Sequence, residues 1–186
     1  MPKSTKPLLN ADGALLVELV SAAAQALEAN RDTINALNVF PVPDGDTGTN
    51  MLLTLKTVLK DLDGHVPTSV EEVSKRMASS ALLGARGNSG LILAQFFKGL
   101  AEALFGESKM GGEQFARSIR IAATKSYGVV PNPVEGTMLT VYRECAEAAE
   151  SSSVKNRSLD RILADVAAAS IDSVRRTPSL LPVLAE

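Results

Sequence analysis

The sequence has few aromatic residues and a single cysteine. It contains no tryptophan, two tyrosines and five phenylalanines in 186 residues, and Cys145 is its only cysteine. One cysteine excludes an internal disulfide framework and fits a reducing cytoplasm, where we expect the protein to reside. Strands prefer β-branched and aromatic side chains, whereas helices prefer residues such as the abundant alanine and leucine. The composition therefore favours an all-α fold.

Long apolar runs and a strong net charge are also missing. Charged residues or glycines interrupt the apolar stretches well before a bilayer could be spanned, so we expect no integral membrane segment. A net charge of -2 offers no bulk attraction to nucleic acid, so we expect no nucleic-acid partner. The length fits one domain that can bury a hydrophobic core without disulfides or structural metal.

Apolar residues recur at helical spacing through most of the chain, and no segment alternates apolar and polar residues for long enough to predict a strand. The predicted helices cover about 12–35, 49–62, 69–84, 88–105 and 111–127, with a sixth from about 137 and a seventh over about 158–176. Short connections favour an antiparallel up-and-down helical bundle. Alternate junctions of such a bundle lie at the same end, so the glycine-rich junctions are expected to share one rim.

The first of these junctions carries the densest polar motif, Asn38-Val-Phe-Pro-Val-Pro-Asp44-Gly-Asp46-Thr-Gly-Thr-Asn50. Mg²⁺ prefers hard oxygen ligands, usually one or two carboxylates together with phosphate and water. Asp44 and Asp46 can present such oxygens from a loop that two prolines stiffen. The glycines let a phosphate come close, and the unsatisfied N–H groups and dipole of a helix start favour an anion. The motif therefore predicts a magnesium–phosphate site.

Simpler and rival explanations of this motif exist. Asp-Gly is ordinary turn chemistry, so a solvated turn is the plainest alternative. An EF-hand is excluded because its required glycine and glutamate positions, counted from Asp44, hold Thr49 and Leu55. The P-loop pattern is absent as well.

Two further junctions can contribute to the same site. Gly84-Ala-Arg-Gly-Asn-Ser-Gly90 leads into an apolar helix, where Asn88 or Ser89 can cap the helix and the glycines can cradle phosphate. A tight helix–helix connection explains this segment equally well. In Glu135-Gly-Thr-Met138, the threonine can cap the next helix and the methionine can pack on a nucleobase. A capped core helix is the simpler explanation of that segment alone.

Together, the three motifs resemble the N-terminal domain of bacterial fatty acid kinase, the FakA or DhaL-like type, which is similar to the nucleotide-binding L subunit of dihydroxyacetone kinase. The resemblance covers nearly the whole chain. It implies an antiparallel helical barrel of about eight helices that binds ADP or ATP with two Mg²⁺ at one rim.

The resemblance also implies roles for individual residues. Asp44 and Asp46 match metal-binding aspartates, and act in catalysis through the metal. Asn38 stands where the dihydroxyacetone kinase branch has a third aspartate, and is the weaker ligand because an amide oxygen carries no charge. Thr47 stands where that branch has a histidine. The implied nucleotide-binding residues are Thr47, Gly48, Thr49, Asn50, Met51, Gly87, Asn88, Ser89, Gly90, Thr137 and Met138.

The implied function is phosphoryl transfer from ATP to a fatty acid carboxylate, which a separate DegV-like fatty-acid-binding protein presents. Such a carboxylate is ionised at neutral pH, so the reaction needs no general base. Two alternatives stay open: a dihydroxyacetone (glycerone) kinase-type subunit, against which Asn38 and Thr47 count, and a non-catalytic nucleotide-binding regulatory module. Family members continue beyond a similar C-terminal segment. We therefore expect residues 1–186 to form one DhaL-like domain of a longer multidomain chain, unable to complete the reaction alone.

Overall fold

A computed structural model describes residues 6–65, 67, 69–155 and 158–185. This part of the chain forms seven α-helices: α1 (Gly13–Ala36), α2 (Thr47–Leu62), α3 (Val70–Gly84), α4 (Gly87–Ala103), α5 (Gly112–Gly128), α6 (Met138–Lys155) and α7 (Leu159–Leu180). A short 3-10 helix, Pro182–Ala185, follows α7. The predicted all-α bundle is confirmed. Among the helices of the described residues, none has the length and apolar character that crossing a bilayer requires.

Consecutive helices run antiparallel. Lys56 in the middle of α2 pairs with Glu28 of α1 at 2.6 Å, whereas the start of α2 lies against the end of α1. In the same way, the Ser126 hydroxyl near the end of α5 donates to the carbonyl oxygen of Ile92, near the start of α4, at 3.4 Å. The α1–α2, α3–α4 and α5–α6 junctions therefore lie at one end of the bundle, together with the end of α7. We call this end the rim.

Small residues let the central helices pack closely. A Cβ atom added to Gly99 of α4 would lie 2.4 Å from the Cα atom of Ala122 on α5, so only glycine permits this approach. The core is built mainly from aliphatic side chains, with Phe97 and Phe115 as buried aromatics, and Met77 and Leu104 are among its largest fully buried side chains. Alanine-rich helices thus replace the aromatic packing that the composition lacks.

A short antiparallel ladder closes the end opposite the rim. Strand β1 (Asn10–Ala11) pairs with β2 (Met110–Gly111). The N–H group of Leu159, the first residue of α7, donates to the carbonyl oxygen of Leu8 at 2.7 Å. The sequence predicted no strand, because two residues are too few to produce an alternating pattern.

Several helix ends differ from prediction. Helix α2 begins at Thr47 rather than Thr49. Arg86, rather than Asn88 or Ser89, occupies the N-cap position of α4, since the N–H of Gly90 already donates to the Arg86 carbonyl oxygen at 3.0 Å.

Helix α7 continues past Pro178 to Leu180, beyond its predicted end at Arg176. Proline lacks the N–H group that would bond to the carbonyl oxygen four residues earlier. The hydroxyl of Thr177 donates to that acceptor, the Val174 carbonyl oxygen, at 2.8 Å.

Candidate functional site

The starts of α2 and α4 lie side by side at the rim. The Ser89 hydroxyl of α4 donates to the Thr47 carbonyl oxygen of α2 at 3.4 Å. A Cβ atom on Gly87 would lie 2.4 Å from the Asn50 side-chain nitrogen. The structure therefore brings the first and second sequence motifs together, and two positive helix ends lie close to each other.

The glycines of the second motif are explained by this helix contact alone. Gly87 has φ +58°, in the left-handed region that favours glycine. A Cβ atom on Gly90 would lie 2.5 Å from Oγ1 of Thr54, and the same oxygen accepts the Arg86 N–H at 3.3 Å. These glycines are required for close packing whether or not a phosphate binds, so the evidence for a ligand comes from other groups.

An asparagine clasp holds the loop of the first motif. The Asn38 side-chain nitrogen donates to the Val42 carbonyl oxygen at 2.9 Å. Its oxygen accepts the Thr47 hydroxyl at 2.6 Å and the Thr47 N–H at 3.2 Å. Asn38 thus fixes the loop to the start of α2, and its further role as a metal ligand stays a prediction.

A second clasp, Asn35 at the end of α1, was missed by sequence reasoning. Its side-chain oxygen accepts the Thr49 N–H at 3.1 Å, and its nitrogen donates to the Thr49 hydroxyl at 2.9 Å. The approach is close, because a Cβ atom on Gly48 would lie 2.6 Å from the Arg31 carbonyl oxygen. A contact across fourteen residues leaves no periodic signal, and Asn35 is an ordinary helix-end residue in the sequence.

The two helix starts differ in how their N–H groups are satisfied. In α2, asparagine side chains already accept the N–H groups of Thr47 and Thr49. In α4, the N–H groups of Gly87, Asn88 and Ser89 have no acceptor among the described residues. The start of α4 therefore has the greater capacity to bind an anion.

Asp44 and Asp46 flank Gly45, which has φ +65°. Asp46 is the N-cap residue of α2, yet its carboxylate makes no capping hydrogen bond, although an N-cap aspartate ordinarily accepts from the first turn. Within the described part of the chain, neither carboxylate has a hydrogen-bond or ion-pair partner. The side chains of Asn50, Arg86 and Asn88 are likewise unpartnered there. A group of polar side chains at the rim is thus free to bind a ligand.

This donor set fits Mg²⁺. No group of three or more His, Cys, Asp or Glu side chains that could hold a metal occurs among the residues that the structure describes. Asp44 and Asp46 would supply the one or two carboxylates that Mg²⁺ usually takes from a protein, with phosphate and water as its other ligands. A closed structural zinc site would need four protein ligands.

The third motif lies at the same rim but packs against α7. Thr137 caps α6, as predicted, because its Oγ1 accepts the Leu139 N–H at 3.3 Å. Gly136 has φ +85°, and a Cβ atom there would lie 2.6 Å from the Leu181 Cβ atom. In the described residues no hydrogen bond joins this motif to the other two.

The two methionines that the sequence placed in the nucleotide site differ in packing. Met51 packs against the hydrophobic core. Met138, at the start of α6, is half-buried and lies outside that cluster. Met51 is also half-buried, so the two methionines differ in what they pack against and not in their burial class.

Comparisons with known proteins agree with the motifs. A family model described as "DAK2 domain" matches residues 41–186, a span that includes the aspartate pair and begins after Asn38. The chain is 38% identical over 175 residues, or 94% of its length, to an uncharacterized protein of Staphylococcus saprophyticus and to one of Staphylococcus epidermidis. It is 36% identical over 175 residues to an uncharacterized protein of Staphylococcus aureus. The alignment covers 32% of each relative, so the chain spans about a third of the length of these curated relatives.

Proposed function

The chain belongs to the DAK2 domain family, a DhaL-like nucleotide-binding module, and from this membership we propose that it is the ATP- and Mg²⁺-binding domain of a kinase. One observation above all supports the proposal. Asp46 stands at the N-cap of α2 with a carboxylate that bonds to nothing in the described residues, beside a start of α4 whose N–H groups lack acceptors. A carboxylate pair beside an anion-binding helix start suits a magnesium–polyphosphate complex.

In this proposal the start of α4 holds the phosphates. The N–H groups of Gly87, Asn88 and Ser89 bind phosphate oxygens, and the Asn50 and Asn88 amides can add donors. Phosphoryl transfer depends mainly on alignment and on neutralising charge. The hydrogen bonds that Asn38 makes across the loop would keep the two aspartates at a constant position relative to the phosphates.

Asp44 and Asp46 would hold the magnesium, with Asn38 as a weaker candidate ligand. Bound Mg²⁺ supplies positive charge that offsets the charge building on the leaving phosphate. On the nucleoside side, Met138 would pack against the base, with Thr137 holding the start of α6.

We further propose that the acceptor is a fatty acid carboxylate, presented by a DegV-like protein, and that the product is an acyl phosphate. A dihydroxyacetone-type reaction is the weaker candidate, because Asn38 and Thr47 stand where that branch has aspartate and histidine and bond instead to each other. The longer relatives support a whole protein with further domains. A regulatory module that binds nucleotide without turnover is the remaining alternative.

Calorimetric titration of ATP, with and without Mg²⁺, tests the site. We expect binding to require Mg²⁺ and to be lost in Asp44→Ala and Asp46→Ala. Asp63→Ala is the matched control, since Asp63 is an exposed aspartate at the other end of α2. Equal binding by the wild type and both rim variants would overturn the site assignment.

A second assay separates kinase from regulatory module. The full-length protein is incubated with ATP, Mg²⁺ and its fatty-acid-loaded partner, and acyl phosphate is trapped with hydroxylamine. Product that depends on the partner supports the kinase. Nucleotide binding without product, for both fatty acid and dihydroxyacetone carriers, supports the regulatory module.

A further inference from the structure

The Glu135 carboxylate joins the two helices on either side of its loop. Its Oε1 accepts the Tyr127 hydroxyl of α5 at 2.8 Å. Its Oε2 accepts the Thr140 hydroxyl at 2.7 Å and the Arg143 guanidinium at 3.1 Å, both from α6. One side chain therefore connects the end of α5, the loop and the first turns of α6.

Thr140 extends this network into the backbone of the third motif. Its side chain is fully buried, and its hydroxyl accepts the Gly136 N–H at 2.8 Å. Since the same hydroxyl donates to Glu135, the carboxylate orients it so that a lone pair faces Gly136. The result is a continuous chain of hydrogen bonds from Glu135 through Thr140 to Gly136.

Gly136 leaves its neighbours little freedom to rearrange. It adopts φ +85°, and a Cβ atom there would lie 2.9 Å from the Leu181 nitrogen and 3.0 Å from the Thr177 carbonyl oxygen. The position of Gly136 in turn sets where Thr137 and Met138 begin α6. Loss of the hydrogen-bond chain would leave this buried N–H without its acceptor.

We propose that Glu135 is a positioning residue for nucleoside recognition, acting through Thr140 to hold the segment 136–138 where it contacts the base. The inference rests on the proposed function, because it assumes that a nucleotide binds at the rim. It assigns the two parts of the ligand to two parts of the rim. The start of α4 holds the phosphates, and the hydrogen bonds of Glu135 and Thr140 hold the residues that contact the nucleoside. No hydrogen bond links the two regions in the described residues, so the two contributions are expected to be separable.

Glu147, on α6, provides a matched control. It pairs with the same guanidinium, Arg143, at 3.1 Å, and its side chain is 52% exposed against 48% for Glu135. Glu135→Gln and Glu147→Gln therefore remove the same charge from the same arginine at similar exposure. Only the first touches the hydrogen bonds to Thr140 and Tyr127.

The experiment compares the affinities of the full-length protein for Mg²⁺-ATP and for Mg²⁺-tripolyphosphate, which has the phosphates but no nucleoside. In Glu135→Gln we expect ATP affinity to fall about tenfold and tripolyphosphate affinity to stay within about twofold, because only contacts to the nucleoside are disturbed. Glu147→Gln is expected to change neither by more than about twofold. Thr140→Val should repeat the selective loss, and Thr140→Ser, which keeps the hydroxyl, should restore ATP affinity. Tyr127→Phe removes only one donor, so it serves as a milder variant if Glu135→Gln fails to fold.

The outcomes separate the two proposals. A wild type that binds neither ligand overturns the proposed function, and this inference with it. A wild type that binds both, with Glu135→Gln unchanged or weakened equally for both, overturns only the positioning role. If Glu135→Gln and Glu147→Gln lose ATP affinity selectively and to the same extent, the effect comes from the ion pairs of Arg143 rather than from the hydrogen bonds through Thr140. That result would overturn the positioning role of Glu135.

Discussion

The hydroxyl of Thr47 donates to the side-chain oxygen of Asn38 at 2.6 Å, across the loop that carries Asp44 and Asp46. Two residues at opposite ends of this loop thereby hold it closed against the start of α2. The loop itself is largely exposed. The clasp ties it to the start of α2 through Asn38, so neither carboxylate is used to hold the loop in place.

Removing the clasp is predicted to weaken nucleotide binding and stability together. Asn38→Ala loses two accepted hydrogen bonds and one donated bond, so we expect the free energy of unfolding to fall by about 1–3 kcal/mol. Mg²⁺-ATP affinity should fall as well, because the aspartates lose their support. Thermal denaturation and calorimetry measure the two effects. Asn30→Ala is the control, since Asn30 is exposed on α1 and bonds only within its own helix.

The variant Asn38→Asp is predicted to separate the clasp from a ligand role. The aspartate keeps an oxygen for Thr47 but cannot donate to the Val42 carbonyl oxygen. If Asn38 serves as a clasp alone, the added charge should strengthen Mg²⁺ binding only slightly, through long-range attraction. A several-fold gain in Mg²⁺ affinity, measured by titration in the presence of ADP, would instead identify position 38 as a metal ligand.

Gly99→Ala is predicted to destabilise the bundle, with no change in ligand chemistry. The added Cβ atom would lie 2.4 Å from the Ala122 Cα atom, and backbone cannot move aside as a flexible side chain can. Overpacking of this kind costs about 1–3 kcal/mol. Gly128→Ala at the end of α5 is the control, because a Cβ atom there meets nothing within 4 Å. Equal denaturation midpoints for the two variants would contradict the close packing of α4 on α5.

The helices were largely predictable from sequence because each buries a periodic apolar face. Ser69, at the predicted start of the third helix, is an example: its hydroxyl oxygen accepts the Glu72 N–H at 3.1 Å and caps α3. Helix starts rich in glycine were less predictable. At the start of α4 Asn88 and Ser89 were the expected N-cap residues, whereas the structure has Arg86 at that position.

The motifs of the site could be identified in the sequence, but the hydrogen bonds that hold them in position could not be predicted from it. Asn35 and Glu135 have ordinary helix-end or loop positions in the sequence, and their roles come from partners that the fold brings to them. The Asn35–Thr49 contact spans fourteen residues, and Glu135 gathers donors from two helices. Long-range hydrogen bonds leave no periodic pattern, so sequence reasoning identified the exposed polar groups and missed those that position them.

The end of α7 is predicted to depend on the Thr177 hydroxyl. Thr177→Val keeps the shape of the side chain but removes the donor to the Val174 carbonyl oxygen, which Pro178 cannot supply. We expect the last turn of α7 to fray and stability to fall by about 1 kcal/mol. Amide hydrogen exchange over residues 177–181 should rise in the variant. Ser170→Ala is the control, because Ser170 makes a similar bond to the Ala167 carbonyl oxygen with no proline beside it.

The stabilising effect of Glu135 is predicted to disappear in acid. The hydrogen bond from Thr140, followed by those from Tyr127 and Arg143, holds the pKa of the Glu135 carboxyl below its ordinary value of 4.5. A group with a lowered pKa in the folded state adds stability above its unfolded pKa, and this stability is lost as the pH falls through the folded value. Wild type should therefore be more stable than Glu135→Gln at pH 7, and the gap should close as the pH falls below 4.5.

The Glu135 side chain is 48% exposed, so solvent screening keeps the difference in stability between the wild type and Glu135→Gln small. Both proteins must be measured in the same buffer series by denaturant titration. Glu18→Gln is a suitable reference, since Glu18 is exposed on α1 and makes no hydrogen bond or ion pair with any described residue. Glu18→Gln is measured in the same buffer series as the control for replacing an exposed glutamate. A gap between wild type and Glu135→Gln that persists undiminished well into acid would mean that the Glu135 charge contributes nothing. The Gly136 N–H would then be held by its hydrogen bond to the Thr140 hydroxyl alone, whether or not that hydroxyl donates to a charged carboxylate.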